Sequence, residues 1–203
     1  MDFSKDYLDK LRLNLDKLDS SRIEKVVDVL INAWKNNKQI FIIGNGGSAA
    51  TASHLACDLA KGTLKGFYDP TEKRFRVISL ADSMPILTAL ANDVGYDNIF
   101  SQQLSNLITP GDVLIVITGS GNSENILRAI NLAQNYKATT IAFLGSDGGK
   151  AKGLVDHYII YEENHYGRIE DAHSILCHLI SAWLRERLDE LKGGGRYFKE
   201  ETK

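Results

Sequence analysis

Two apolar, β-branched runs, Gln39-Ile40-Phe41-Ile42-Ile43 and Val113-Leu114-Ile115-Val116-Ile117, stop abruptly in small residues. The first runs into Gly44-Asn45-Gly46-Gly47-Ser48 and the second into Thr118-Gly119-Ser120-Gly121-Asn122-Ser123. Each run has the pattern of a strand covered on both faces, and each is followed by a helical pattern. Small residues at such a strand end let backbone amides approach a ligand, and a helix start favours an anion. A tight strand-to-helix turn, in which glycine relieves steric strain, accounts for one loop of this kind. Two of them on equivalent strand ends point instead to one phosphorylated small molecule held between them. Thr118, Ser120 and Ser123 add three hydroxyl donors beside a helix start, and Ser48 takes the matching place on the first loop.

The rest of the chain fits the architecture that these two ends require. Ile23, Val26, Val27, Leu30, Ile31 and Trp34 recur at helical spacing over about 21–37, and Tyr7, Leu8, Leu11, Leu15 and Leu18 make an earlier amphipathic stripe. With one apolar face each, these N-terminal helices need a partner surface, either their own sheet or another subunit. From Gln39 onward the reading is strand 39–44, helix 48–61, strand 75–80, helices 84–92 and 98–108, strand 112–118 and helix 123–136. Strands near 139–144 and 156–161 and a long helix over 168–192 complete the series. This alternation predicts an α/β fold, a doubly wound parallel sheet flanked by helices, as a single domain over 1–192. Ligands of such sheets lie outside the carboxyl ends of the strands, where both loops fall. Gly193-Gly194-Gly195 and the charged residues to 203 read as a flexible tail.

Several function classes are disfavoured. The first loop does not complete a dinucleotide fingerprint: Ala49 in sixth place is an allowed variant, but no acidic residue closes the strand at 75–80. A Walker A lysine is also absent from both loops. With 203 residues, 43% of them hydrophobic, the chain can bury a substantial core. A formal charge of -2 gives no electrostatic footprint for nucleic acid. The start, Met1-Asp2-Phe3-Ser4-Lys5-Asp6, carries no apolar signal core, and no run is long enough to cross a bilayer, so the expected location is the cytoplasm. Cys57 and Cys177 lack CxxC spacing, which fits reduced thiols.

A second constellation is His54-x-x-x-Asp58 together with Glu170 and His178. Residues four apart share a helix face, so His54 and Asp58 can ligate one metal. Glu170 and His178 lie roughly 12 Å apart along a helix, so one metal reaches both only if their side chains converge. The alternative is a solvated acidic face with locally satisfied histidines. His173 reads as a helix histidine without a chemical role. Lys61, Lys65 and Arg168 read as surface charges more than as contacts to a phosphate.

The ordered set Gly44-Asn45-Gly46-Gly47-Ser48-Ala49, His54, Ala91-Asn92-Asp93, Gly111-Asp112-Val113-Leu114, Ser120-Gly121-Asn122-Ser123, Asp147-Gly148-Gly149-Lys150 and Arg168-Ile169-Glu170-Asp171-Ala172-His173 resembles the sugar isomerase (SIS) domain family. Within it, the chain is similar to the phosphoheptose isomerases over nearly its whole length. The resemblance implies conversion of sedoheptulose 7-phosphate into D-glycero-D-manno-heptose 7-phosphate, the entry to bacterial heptose synthesis for envelope polysaccharides. It implies phosphate binding by Thr118, Ser120 and Ser123, with Asn45, Gly46, Gly47, Asn92 and Asp93 contacting the sugar or shaping the pocket, and Ser48 and Gly119 complete the expected substrate-binding residues. It also implies one zinc per subunit at His54, Asp58, Glu170 and His178, and a homotetramer with active sites at subunit interfaces. Two departures stand out: the family carries glutamate where this chain has Asp58 and glutamine where it has Glu170. Asp58 is therefore the expected base, His178 the acid and Glu170 the rival base. An isomerase of another phosphosugar, or a non-catalytic relative that binds the replication initiator, are the alternatives the resemblance leaves.

Overall fold

A computed structural model describes residues 2–66 and 68–192, so the expected tail over 193–203 lies outside the described residues. Asp2 and Asp19 each sit just before a helix and accept backbone amide hydrogens of the first turn, starting α1 (Phe3–Leu15) and α2 (Ser20–Lys35). The stripe Ile23, Val26, Val27, Leu30 and Ile31 on α2 is buried. The core elements follow as β1 (Gln39–Gly44), α3 (Gly47–Cys57), β2 (Arg76–Ser79), α4 (Met84–Asp93), α5 (Ile99–Leu107), β3 (Val113–Thr118), α6 (Glu124–Asn135), β4 (Thr139–Gly145), β5 (His157–Tyr161) and α7 (Tyr166–Leu191).

All five strands pair in parallel, in the order β2-β1-β3-β4-β5. Strand alternation sorts the core into two layers. Ile40, Ile42, Ile115, Ile117, Ile141 and Phe143 pack with α2, α3 and α7, while Phe41, Ile43, Leu114, Val116, Ala142 and Leu144 pack with α5 and α6. Each fully buried side chain of this size contributes about 2 kcal/mol of hydrophobic stabilisation. At the amino ends of the strands, buried Asp112 accepts the Gln39 amide at 2.9 Å with one oxygen. Its other oxygen accepts the Thr109 amide at 2.8 Å, so a single carboxylate aligns the starts of β1 and β3.

The doubly wound sheet of the sequence reading is therefore present, with two local differences. The helix expected to run to residue 61 ends as α-helix at Cys57 and continues as a π-helical turn, Asp58–Gly62. Helix α4 buries no side chain and leaves Met84 65% and Ile86 39% exposed, although its composition is apolar. The amphipathic α1 finds part of its partner within the same chain. Tyr7 donates to Asp171 at 2.7 Å, the Arg168 guanidinium lies over the Tyr7 ring, and Tyr161 donates to the Leu11 carbonyl. Phe3, Leu8 and Leu13 of α1 remain exposed. Among the described residues no helix is long and apolar enough to cross a membrane.

One buried group makes the fold sensitive to acid. His173 on α7 is fully buried, neither ring nitrogen has a well-aligned hydrogen-bond partner, and burial pushes its pKa down to about 4, offset only partly by the Leu144 backbone. The unfolded chain then binds the proton between pH 6.5 and 4 while the folded chain does not, so stability falls as pH drops through that window. We expect urea denaturation of His173→Leu to show a stability loss between pH 7 and 4 smaller than that of the wild type by on the order of 3 kcal/mol. Equal pH dependence in the two proteins would remove His173 as the source.

Candidate active site

The strand order reverses between β1 and β3: the chain leaves β1 for one side of the sheet and returns to its other side for β3. A crevice opens at the carboxyl ends of two strands whose connections diverge in this way. The register Gly44↔Ile117 sets Asn45 and Thr118 side by side at its mouth. Both glycine and hydroxyl loops therefore border the same crevice.

The second loop is held so that its hydroxyl hydrogens are free. Thr118 Oγ1 accepts the Gly121 amide at 3.2 Å, and Ser120 Oγ accepts the Asn122 amide at 3.3 Å. With the oxygens engaged as acceptors, each O–H remains available to donate. Ser123 stands at the start of α6 without a side-chain capping bond, which leaves its hydroxyl and the first amides of α6 to a ligand. The 146–150 loop braces this arrangement from behind: the Lys150 amide donates to Asn122 Oδ1, and the Ala151 amide to the Gly121 carbonyl. Gly121 has φ 63°, and a Cβ there would stand 2.0 Å from the Gly148 carbonyl oxygen. A small pocket results, lined by Asn45, Ser48, Thr118, Gly119, Ser120 and Ser123 on the loops and by Tyr166 and Glu170 on α7.

The second centre lies further along the same two helices. His54 Nε2 and His178 Nε2 are 2.8 Å apart, with the rings nearly perpendicular at 81°. Asp58 Oδ2 is 3.3 Å from His54 Nε2 and 4.0 Å from His178 Nε2. The three ligand atoms lie within 4.8 Å of one another, a grouping that can hold a metal ion. Asp58 begins the π-helical turn, a kind of helix irregularity common at functional sites. Four-coordinate zinc with bonds near 2.05 Å separates its ligand atoms by about 3.3 Å, so the carboxylate already stands at that spacing from His54. The two imidazole nitrogens stand closer than that spacing and His178 stands further than it from the carboxylate, so a bound ion would require His178 to shift on both counts, and both imidazoles are at least half exposed. The buried Cys177 next in sequence is an inert neighbour, because burial, with the charge of Asp58, pushes its thiol up to about 12.

A family profile described as the SIS domain matches residues 6–145. The phosphoheptose isomerase of Aquifex aeolicus is 36% identical over 181 residues, covering 89% of this chain and 92% of that protein. That of Helicobacter hepaticus is 39% identical over 158 residues, covering 78% of each. The chain belongs to the SIS domain family, in its phosphoheptose isomerase branch. Among solved structures, the phosphoheptose isomerase of Neisseria gonorrhoeae superposes with a TM-score of 0.78 at 29% identity, covering 86% of this chain and 91% of that one.

Within this SIS domain the expected site residues fall into three groups. Asn45, Ser48, Thr118, Gly119, Ser120 and Ser123 line the hydroxyl pocket, with Gly46 and Gly47 at its edge where α3 begins. His54, Asp58 and His178 form the histidine and carboxylate cluster. Glu170 is not in that cluster: its carboxylate faces Gly47, where a Cβ would meet Oε1 at 2.6 Å, at the hydroxyl-pocket end of the crevice. Asn92 and Asp93 stand outside both centres, exposed at the end of α4 and bonded to each other at 2.9 Å. Arg168 and Lys65 are ion-paired elsewhere, with Glu163 at 2.8 Å and Asp189 at 3.0 Å. The Arg168 guanidinium holds the Glu163 carboxyl down to about 2.

One pocket residue, Tyr166, and one buried residue behind the pocket, Asn125, carried no signal in the sequence. Tyr166 lays its ring against Gly119, 3.3 Å from where a Cβ would be, and Asn125 bonds the Asn45 amide from the first turn of α6. An aromatic at a helix start and an asparagine inside a helix follow no spacing rule that marks them. Replacing Gly121 by alanine combines a left-handed backbone with collision against a carbonyl. We expect Gly121→Ala to lower unfolding free energy by at least about 2 kcal/mol in urea and to abolish phosphosugar affinity in calorimetry. Near-normal values for both would show that the brace between the two loops is dispensable.

Proposed function

We propose that this chain isomerises sedoheptulose 7-phosphate to D-glycero-D-manno-heptose 7-phosphate through an enediol. The observation that carries the reading is the distance between the two centres. Helices α3 and α7 run side by side, with Ser48 and Glu170 at the hydroxyl pocket and His54 and His178 at the cluster. Six residues of α3 and eight of α7 separate the two ends, roughly 9–12 Å along the helices. That is the length scale of an extended seven-carbon chain ending in phosphate. The phosphate would take the hydroxyls of Thr118, Ser120 and Ser123 and the start of α6, leaving C1 and C2 beside Asp58 and His178. The comparisons with phosphoheptose isomerases, at 36–39% identity, support the same substrate.

Isomerisation moves a proton between C1 and C2 while a second group serves the carbonyl oxygen. We assign the transfer to Asp58, partly buried and within reach of both imidazoles, and the oxygen-directed role to His178, as acid when its Nε2 carries a proton and as a holder of the metal when its Nε2 is a ligand. Glu170 is the weaker candidate for the base, because its carboxylate stands at the phosphate end. A carboxylate beside a phosphate dianion is repulsive, so substrate favours its departure from that position. The proposed ligand set for zinc is His54, Asp58 and His178, which Glu170 would complete only after leaving Gly47. When bound there, zinc supplies Lewis-acid polarisation of the substrate oxygens. We read residues 1–192 as one functional unit, working as a homotetramer in the cytoplasm. The exposed Phe3, Leu8 and Leu13 of α1 and Met84 of α4 support the assembly, and the free thiols Cys57 and Cys177 support the compartment.

Steady-state assays of aldose formation test the assignment. We expect Asp58→Asn to lower kcat at least about 100-fold and Glu170→Gln less than about tenfold. The reverse ranking would make Glu170 the base. Elemental analysis after dialysis should find close to one zinc per wild-type chain and a clear loss in the His54→Ala and His178→Ala variants. Undiminished zinc in both would place the metal elsewhere.

A further inference from the structure

Asn45 lines the hydroxyl pocket, but its amide is largely committed to the protein. Its Nδ2 donates to Asn125 Oδ1 at 2.9 Å, and its Oδ1 accepts from Asn125 Nδ2 at 2.9 Å and from the Tyr96 hydroxyl at 2.9 Å. A carboxamide offers two acceptor lone pairs and two N–H donors. Both lone pairs of Asn45 and one donor are therefore filled, and a single N–H is left to face a ligand. The pairing with Asn125 is reciprocal, so neither amide can turn over alone without setting oxygen against oxygen and nitrogen against nitrogen. Asn125 is 2% exposed, as the second residue of α6, and Asn45 follows β1, so the pair also fixes the separation of the two strand-end loops.

We infer that Asn125, assisted by Tyr96, is a positioning residue that holds Asn45 as a one-donor contact to an oxygen of the bound phosphosugar. Asn125 acts through Asn45 and does not touch the sugar itself. The arrangement sets selectivity as well as affinity: an oxygen that accepts a hydrogen bond is matched at this point of the pocket, and a group that can only donate is rejected. The inference rests on the isomerase reading above, because that reading places the phosphosugar between these loops.

A double-mutant cycle on the full-length enzyme tests it, with sedoheptulose 7-phosphate as the probe in both turnover and calorimetric binding. Asn125→Ala is expected to raise KM and Kd about tenfold, with kcat changed less than about threefold. In an Asn45→Ala background the same substitution should add less than about twofold, because nothing is left to orient. Tyr96→Phe, at an exposed residue whose loss spares the core, should raise KM about two- to fivefold and show the same dependence on Asn45. A merely structural role would lower thermal stability while leaving effects on KM that add in the double variant. Additive effects, or an unchanged KM in Tyr96→Phe and Asn125→Ala, overturn the positioning role while the isomerase stands. A wild-type enzyme that neither binds nor converts this sugar overturns the isomerase reading, and this inference with it.

Discussion

The parallel pairing of β1 with β3 is the constraint from which the site follows. Five residues of register, Ile40↔Val113 to Gly44↔Ile117, carry two loops that are more than seventy residues apart in sequence to the same edge of the sheet. Their starts are aligned by one buried carboxylate, Asp112, which accepts the first amide of β1 and the Thr109 amide ahead of β3. Because the connections out of β1 and β3 diverge, a crevice opens between their carboxyl ends, with Tyr166 and Glu170 of α7 on its wall. The second loop is held by bonds among its own residues and by the Lys150 and Ala151 amides, which donate to the Asn122 side chain and the Gly121 carbonyl.

The second organising element is the seam between α3 and α7. It carries the hydroxyl pocket at one end and the imidazole and carboxylate cluster at the other, so that in the proposed reading binding and chemistry are separated by a length that the helices set. Rigid placement of this kind favours proton transfer, whose rate falls steeply when the acid or base is displaced. Asp58 is set on a π-helical turn at one end of the seam, and Glu170 places a carboxylate against Gly47 at the other.

Much of this was legible from sequence because buried parallel strands and amphipathic helices leave strong periodic patterns. The five strands and the long helices lie where β-branched runs and apolar stripes predict them. His54 and Asp58 were readable as a pair because helical spacing alone brings residues four apart together, and the meeting of His54 with His178 rests on packing that no local pattern encodes. The position of Glu170 was not legible either: the i, i+8 relation to His178 fixes a distance along the helix, and only the tertiary packing shows which end faces Gly47. The reciprocal amides of Asn45 and Asn125 were invisible for the same reason, since the two asparagines sit eighty residues apart on different strand ends. The π-helical turn at Asp58 has no sequence signature of its own.

The most direct test of the account is an NMR experiment on the zinc-supplemented protein with sedoheptulose 7-phosphate in deuterated buffer. The account predicts the aldose product, with deuterium introduced at the carbon that receives the transferred proton. Substrate that stays unconverted and unlabelled, from a folded and metal-loaded protein, would contradict it.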